Sequence, residues 1–200
     1  MRLERFALLA ATLLFSASLI ARPEVGLPAP EFTATDTAGQ THSLADFAGR
    51  TVVLEWTNHD CPFVIKHYAS GNMQGLQQRY ADQGVVWLTV ISSAPGKQGY
   101  VTAEQADELT ETRGAAPTAV LLDPEGTLGR TFDARVTPHM YVIDPEGVLV
   151  YMGGIDSIRS ADPADIPRAT PYVVNALDAL LAGEPIADPV TQAYGCTVKY

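Results

Sequence analysis

Two nearly continuous apolar segments with a Cys-Pro step between them constrain the fold of this chain most strongly. Residues 51–57 and 85–91 are each typical of a strand buried on both faces of a sheet. Between them, the pattern predicts a helical stretch over 61–81, with Pro62 in the first turn, where its missing N–H costs nothing. Because parallel neighbours need a crossover connection, this order predicts a parallel strand–helix–strand unit of an α/β fold.

The remaining pattern extends this unit on both sides. Gly71 and Gly75 are expected to bend the long helix, and turn residues separate further apolar runs. The expected strands cover 31–36, a segment near 41, 118–122, 139–143 and 148–152, and the expected helices cover 43–49, 102–113, 127–133 and 171–181. We therefore predict a central mixed sheet flanked by helices, with an N-terminal β-hairpin and a C-terminal tail extension.

The first 21 residues differ in composition from the rest of the chain. Arg2 and Arg5 form a basic start, and residues 6–21 are an apolar run, which is typical of a secretory signal peptide. The run is short for a membrane-spanning helix, so we prefer cleavage to the competing interpretation, a retained N-terminal anchor. Export to the periplasm or the cell exterior would allow a pair of thiols to persist as a disulfide.

Charge and length limit what the exported chain binds. The net charge of −10 over the 200 residues disfavours nucleic acid and anionic membranes, because either would require a surplus of Lys and Arg on one face. We predict a linker over 22–30, one domain over 31–183 and a tail over 184–200 that carries Cys196 and docks on the domain. After signal cleavage we expect no membrane association, and we predict no cofactor.

Several motifs carry a resemblance to a known superfamily. The Cys-Pro helix start, the crossover strand, and the segment 136–144 before a hairpin resemble the thioredoxin fold. Residues 30–44 resemble the entry to its redoxin branch, which contains peroxiredoxins, the alkyl hydroperoxide reductase and thiol-specific antioxidant family, and periplasmic thioredoxin-like proteins. Residues 55–68 together with 194–200 are similar to a peroxiredoxin-like subgroup of that branch. The resemblance implies a thiol-based oxidoreductase, with antioxidant activity as one outcome.

The chain also departs from both parent families. Asn58 stands where thioredoxins have the first cysteine of their Cys-x-x-Cys pair. Asn58 and Leu54 also replace the threonine and the proline that precede the peroxidatic cysteine of peroxiredoxins. Pro138, preceded by Thr137, falls near the position of the peroxiredoxin arginine and instead resembles the cis-proline of thioredoxins. Because peroxide activation needs donors around the departing oxygen, these losses favour thiol–disulfide exchange over fast peroxide reduction.

Cys61 is the predicted redox nucleophile. A thiol attacks as its thiolate, and a helix N-terminus lowers the pKa of a cysteine placed there. Lys66 and His67 in the first two turns would lower that pKa further, whereas Asp60 opposes them. The alternative is a small buried cysteine that packs as a hydrophobe.

Cys196 is the candidate resolving residue, since the mature chain has no other cysteine besides Cys61. A sulfenic acid or a mixed disulfide on Cys61 needs a second thiol to resolve it. Two alternatives stay open, namely a purely structural Cys61–Cys196 disulfide and two unrelated thiols. The expected partners are a thiol reductant or a protein disulfide substrate, with peroxide as a further oxidant.

Besides Pro62 and Lys66, four residues are predicted to support this sulfur. A cis bond at Thr137-Pro138 would turn the Thr137 backbone toward Cys61 and offer a substrate disulfide a β-like edge, as the resemblance to thioredoxins implies. Asn58 would hold the active-site loop by hydrogen bonds, and Trp56 would form an aromatic wall. An ordinary turn proline, a turn former and a core filler are the competing interpretations.

Two histidines allow a different function class. His59 and His139 with Cys61 would make a soft copper or zinc site, as related copper-delivery proteins suggest, although those carry paired cysteines in one loop. The competing hypothesis is therefore a non-enzymatic binding or copper-handling module that is stapled by a structural Cys61–Cys196 disulfide. Histidines of the surface or the core are the simpler interpretation.

Overall fold

The computed structural model describes residues 22–200. The predicted signal peptide over 1–21 lies outside the described residues. Within 22–200, no helix has both the length and the apolar character that crossing a membrane requires.

The described residues form nine strands and five α-helices. The strands are β1 (Thr33–Asp36), β2 (Thr41–Ser43), β3 (Val52–Trp56), β4 (Val86–Ile91), β5 (Ala119–Leu122), β6 (Val136–Thr137), β7 (His139–Ile143), β8 (Leu149–Gly153) and β9 (Cys196–Thr197). The helices are α1 (Pro62–Ala69), α2 (Asn72–Ala81), α3 (Ala103–Thr112), α4 (Thr127–Thr131) and α5 (Tyr172–Ala182), with 3-10 turns at Leu44–Phe47 and Pro163–Arg168.

Seven strands form one mixed sheet in the order β2-β1-β5-β4-β3-β7-β8. β4 lies parallel to both β3 and β5, and the remaining neighbours are antiparallel. The predicted parallel crossover and the mixed sheet flanked by helices are confirmed. The short strands β6 and β9 form a second, two-stranded sheet.

The predicted single helix over 61–81 is wrong, because the chain forms two helices there. Gly71 adopts a left-handed backbone with φ of 76° between α1 and α2. A glycine takes this conformation without the steric cost that a side chain brings, so the sequence allows a full break there. Gly75 lies inside α2 and does not interrupt it.

The sheet separates two apolar clusters. Successive side chains of a strand point to opposite faces, so Leu54 and Trp56 join one cluster and Val53 joins the other. The second cluster also contains Cys61 and Val64 from the start of α1. The candidate sulfur is therefore held at the junction of β3 and α1 by packing on a central strand.

The C-terminal tail is bound along its length to the domain. At β8, Met152 N–H donates to Pro189 O at 3.0 Å and Thr191 N–H donates to Met152 O at 3.1 Å. The Tyr151 hydroxyl and the Thr191 hydroxyl are hydrogen-bonded at 2.6 Å. Farther on, the tail supplies β9.

Candidate active site

The loop after β3 delivers Cys61 to the N-cap of α1. Pro62 lies in the first turn of that helix, where no N–H is needed. Asn58 is buried and shapes the loop, since its backbone carbonyl accepts from Cys61 N–H at 3.0 Å and its side-chain Oδ1 accepts from Asp60 N–H at 2.9 Å. The Asn58 amide thus makes hydrogen bonds of the predicted kind.

The end of β6, just before β7, contacts the same sulfur. The Thr137-Pro138 peptide bond is cis. The Cys61 thiol donates to the Thr137 carbonyl oxygen, with Sγ at 3.1 Å from the oxygen. The structure therefore brings together the two motifs that the sequence singled out.

Cys196 reaches this point through the tail. β9 pairs antiparallel with β6, and Cys196 lies opposite Thr137 in the register. The Cys196 backbone N–H donates to Cys61 Sγ at 3.4 Å. Both residues are thiols in the structure, Cys61 with 0% of its surface exposed and Cys196 partly exposed.

The two thiols shift each other's pKa in opposite directions. Burial raises the pKa of Cys61, but hydrogen bonds from the Cys196 thiol, from the Val64 and Cys196 backbone N–H groups and from the Thr137 side chain outweigh burial and leave that pKa below its ordinary value. Burial, the hydrogen bond to Cys61 and the negative charge of Cys61 raise the pKa of Cys196 to about 11. Of the two thiols, Cys61 is therefore the one that loses its proton more readily, and Cys196 is the one that keeps it.

Lys66 does not serve the sulfur as the sequence suggested. Its ammonium group is buried, and Nζ lies 3.1 Å from Asp156 Oδ2, 3.3 Å from Ile158 O and 3.3 Å from the Tyr194 hydroxyl. Burial lowers the pKa of His67 to about 4, so the ring is neutral near pH 7. Neither side chain is among the groups that act on the pKa of Cys61.

Sequence reasoning missed the group that Lys66 belongs to. The Tyr194 hydroxyl donates to Asp156 Oδ1, and the Tyr194 ring packs edge-on against Phe63 at 5.7 Å between centroids. Tyr194 precedes Cys196 by two positions, so this buried group fixes the tail next to the sulfurs of Cys61 and Cys196. The sequence contains no local pattern that links Asp156, which lies in a polar stretch, to Tyr194, which lies in the tail.

Trp56 belongs to the core and not to the wall of the site. It packs against Phe132 and Tyr141 in the cluster that does not contain Cys61. Its indole N–H donates to the Ser92 hydroxyl at 3.0 Å. The interpretation of Trp56 as a core filler is the one that the structure supports.

The two histidines have separate surroundings. His59 Nε2 lies 3.3 Å from Asp60 Oδ1. His139 Nδ1 is hydrogen-bonded to the Tyr141 hydroxyl at 3.0 Å, and burial lowers its pKa to about 4. In the described part of the chain, no group of three or more His, Cys, Asp or Glu side chains is arranged to hold a metal ion.

A fully buried carboxyl group on β3 is a second feature that sequence reasoning missed. Glu55 accepts from the Tyr68 hydroxyl and the Trp87 indole N–H, both at 2.8 Å, and from Gln77 and Thr89, both at 3.3 Å. Burial raises the pKa of Glu55, although all four hydrogen bonds oppose this. A glutamate within an apolar strand was the available signal.

The contacts of Cys61 predict how its pKa responds to substitution at the tail. Cys196→Ala removes the thiol that donates to the Cys61 thiolate, so the pKa of Cys61 is expected to rise, whereas Cys196→Ser retains a hydroxyl donor and should raise it less. Ultraviolet absorbance of the thiolate against pH measures both variants. Equal pKa values in the Ala variant and the parent would contradict the assignment.

Both the sequence and the fold of the chain match known proteins. The sequence profile of the AhpC/TSA family matches residues 25–152. No curated protein matches the chain significantly. An uncharacterized conserved protein from Geobacillus kaustophilus is 26% identical, with a TM-score of 0.76 and coverage of 88% of this chain and 92% of that one. A hypothetical protein from Sinorhizobium meliloti 1021 is 23% identical, with a TM-score of 0.75 and coverage of 90% and 96%.

A third solved structure shares the fold at greater distance. The thioredoxin domain of a thiol-disulfide oxidoreductase from Bacteroides vulgatus is 20% identical, with a TM-score of 0.51 and coverage of 72% of this chain and 96% of that one. The similarity shows a thioredoxin-like fold. Cys61, Thr137 and Pro138 lie within the residues that the family profile matches, and Cys196 lies beyond them.

Proposed function

The chain belongs to the AhpC/TSA family, and from that premise we propose that it is a thiol-based oxidoreductase with Cys61 as nucleophile and Cys196 as resolving thiol. The observation that carries the proposal is the contact between the two cysteines, in which the Cys196 backbone nitrogen lies 3.4 Å from Cys61 Sγ. Assignment to a peroxiredoxin-like subgroup is part of the same proposal, as are supporting roles for Asn58 and the Thr137-Pro138 step.

The first chemical step uses the lowered pKa of Cys61. Its thiolate attacks one sulfur of a substrate disulfide, an S–S bond forms between protein and substrate, and the substrate's S–S bond breaks. The departing substrate thiolate takes a proton from solvent. No cofactor takes part in this exchange.

The second step depends on a fall in the pKa of Cys196 after Cys61 has reacted. After burial, two of the causes that raise its pKa are the hydrogen bond to Cys61 and the negative charge of Cys61. Both vanish when Cys61 enters a mixed disulfide, so Cys196 deprotonates more easily only after the first step. Its thiolate then attacks the Cys61 sulfur, releases the second substrate thiol and leaves a Cys61–Cys196 disulfide, which an external thiol reductant returns to two thiols.

Peroxide is the second oxidant that the proposal includes. Attack of the Cys61 thiolate on peroxide would give a sulfenic acid and a hydroxide ion, and Cys196 would condense with the sulfenic acid to the same disulfide and water. Disulfide exchange is the preferred reaction, because it requires fewer placed donors than cleavage of an O–O bond. The proposal also includes export to the periplasm or the cell exterior, for which the support is the N-terminal sequence alone.

Stoichiometric oxidation tests the proposal. Reduced protein is mixed with oxidised glutathione or with hydrogen peroxide, and intact mass and peptide mapping follow the cysteines. We expect the parent chain to form the Cys61–Cys196 disulfide, and we expect Cys196→Ser to stop at a glutathione adduct on Cys61. The Cys61→Ser variant should react with oxidised glutathione no faster than the unfolded chain does.

Two results would oppose the proposal in different ways. If neither oxidant modifies Cys61 faster than it modifies an unfolded control, Cys61 is not a redox nucleophile. If the Cys61–Cys196 disulfide forms but a dithiol reductant cannot reopen it in the folded protein, the bridge is a structural staple.

A further inference from the structure

The tail occupies the backbone edge beside Pro138. β9 pairs with β6 in the antiparallel sense, with Thr197 opposite Val136 and Cys196 opposite Thr137. An extended peptide that carries a disulfide to Cys61 would use this same Thr137 backbone. The tail therefore places its own cysteine where an extended substrate would place a disulfide sulfur.

We propose that residues 194–200, here called the tail strap, act as an internal substrate strand that sets the substrate class. The proposal rests on the redox function of Cys61 proposed above. While the tail strap is docked, small disulfides reach Cys61 by local loosening around Cys196. Disulfides within polypeptides react only when the tail strap leaves β6, because they need the edge that it covers.

Burial of the nucleophile is the first observation behind this proposal. Cys61 Sγ contacts the Thr137 carbonyl oxygen and the Cys196 backbone N–H, and none of the residue is exposed. Cys196 is partly exposed, so the cover over the sulfur is thin at the tail strap. Access to Cys61 is therefore controlled by how far the tail strap moves.

One end of the tail strap is anchored in a buried charged group. The Tyr194 hydroxyl binds Asp156 and lies 3.3 Å from Lys66 Nζ, and its ring packs on Phe63. This end is therefore held by three contacts with residues of the domain, namely Asp156, Lys66 and Phe63. The anchor keeps Cys196 near Cys61 without any contact to the sulfur itself.

The other end is anchored against the loop that leads to β6 and the loop that follows β4. Val198 N–H donates to Arg135 O at 3.0 Å, and Lys199 O accepts from Ala94 N–H at 2.8 Å. The Tyr200 hydroxyl donates to Ala134 O at 2.6 Å. Anchors on both sides of Cys196 make the tail strap a specific cover and not a loose end.

Gly195 allows the close approach between the anchors. Its φ is 144°, and a Cβ atom at this position would lie 1.8 Å from the Thr137 carbonyl oxygen. No side chain fits there while the tail strap is docked. Gly195→Ala is therefore a substitution that opposes docking and leaves Cys61, Thr137 and Cys196 unchanged.

The test compares two oxidants on one sulfur. In a Cys196→Ser background, where an adduct on Cys61 accumulates, one measures the rates of mixed-disulfide formation with oxidised glutathione and with a symmetrical disulfide dimer of an extended peptide. In each case the Cys61 thiolate forms one S–S bond, one S–S bond breaks, and one thiolate leaves. The readout is the ratio of the peptide rate to the glutathione rate.

We expect Gly195→Ala to raise this ratio about tenfold or more. The alanine side chain would strain the backbone at this φ and would clash with the Thr137 carbonyl, and both effects oppose docking. Gly183→Ala is the matched control, because Gly183 has a φ of 70° with open space around its Cβ position and lies outside the site. The control should leave the ratio unchanged. Tyr194→Phe provides a second variant, which loses the hydroxyl anchor and should shift the ratio in the same direction.

Each contrary outcome has its own meaning. An unchanged ratio in both Gly195→Ala and Tyr194→Phe, with Cys61 still reactive, overturns the role of the tail strap and leaves the proposed function standing. An equal rise in Gly183→Ala also overturns it, since general loosening would then explain the effect. If Cys61 reacts with neither oxidant in any variant, the proposed function fails and this inference fails with it.

Discussion

Asp156→Ala is expected to lower the free energy of unfolding by about 3–5 kcal/mol, because removing one partner of a buried ion pair leaves the other charge uncompensated. Lys66 is the partner, with its ammonium group 3.1 Å from Asp156 Oδ2 and its side chain fully buried. The Tyr194 hydroxyl loses its acceptor in the same variant. Urea denaturation of the parent and the variant, followed by tryptophan fluorescence, measures the difference.

A compensated variant separates the ion pair from general damage to the loop. Lys66→Met combined with Asp156→Leu removes both charges and keeps apolar volume, which is often tolerated where a single deletion is not. We expect this double variant to be more stable than Asp156→Ala alone. A double variant that is equally unstable would assign the loss to packing around residue 156 and not to the stranded ammonium group.

Glu55→Ala should cost about 3 kcal/mol or more, since each buried donor left without an acceptor costs about 1–3 kcal/mol. The donors are the Tyr68 hydroxyl, the Trp87 indole N–H and the side chains of Gln77 and Thr89. Glu55→Gln retains the volume and one acceptor oxygen, so its cost should be smaller. Denaturation of the two variants under the same conditions measures the difference, and equal losses would contradict the role of the carboxylate as a shared acceptor.

The raised pKa of Glu55 also gives stability a pH dependence of definite sign. Its ordinary pKa is 4.5, and burial raises the pKa in the folded state. Between 4.5 and the folded-state value, the folded protein binds more protons than the unfolded chain, so this group makes stability fall as pH rises through that window. Glu55→Gln should remove this contribution, and the difference between parent and Gln variant against pH isolates it from all other groups.

The main sheet was readable from local patterns because its strands are apolar runs bounded by turns. Residues 51–57 and 85–91 became β3 and β4, and the Cys-Pro step became the N-terminus of α1. Periodicity gave no sign that the helix divides at Gly71, since glycine is compatible with both a bend and a full break. Pairings such as β6 with β9 join residues far apart in the chain, and neither two-residue strand has a period that could be read.

The site was predictable where its residues are consecutive and obscure where they are not. Cys61 and Pro62 are adjacent, Asn58 lies three positions before Cys61, and Thr137 with Pro138 forms a recognisable step. The sequence predicts that Lys66 serves the sulfur, but position on a helix does not reveal which way a long side chain turns. Its actual partner, Asp156, lies in a stretch without periodicity, and only the folded chain brings the two together.

β8 ends the sheet, and an uncovered terminal strand offers free backbone groups to another copy of the chain. The tail bonds to β8 at Met152, where the Thr191 hydroxyl also accepts from Gly154 N–H at 3.0 Å, and Gly26 and Leu27 bond to it at Leu149. The edge of β8 therefore stays covered in the proposed movement of the tail strap as long as that movement ends before Thr191. Protection of this sheet edge is thus assigned to segments that contain neither sulfur.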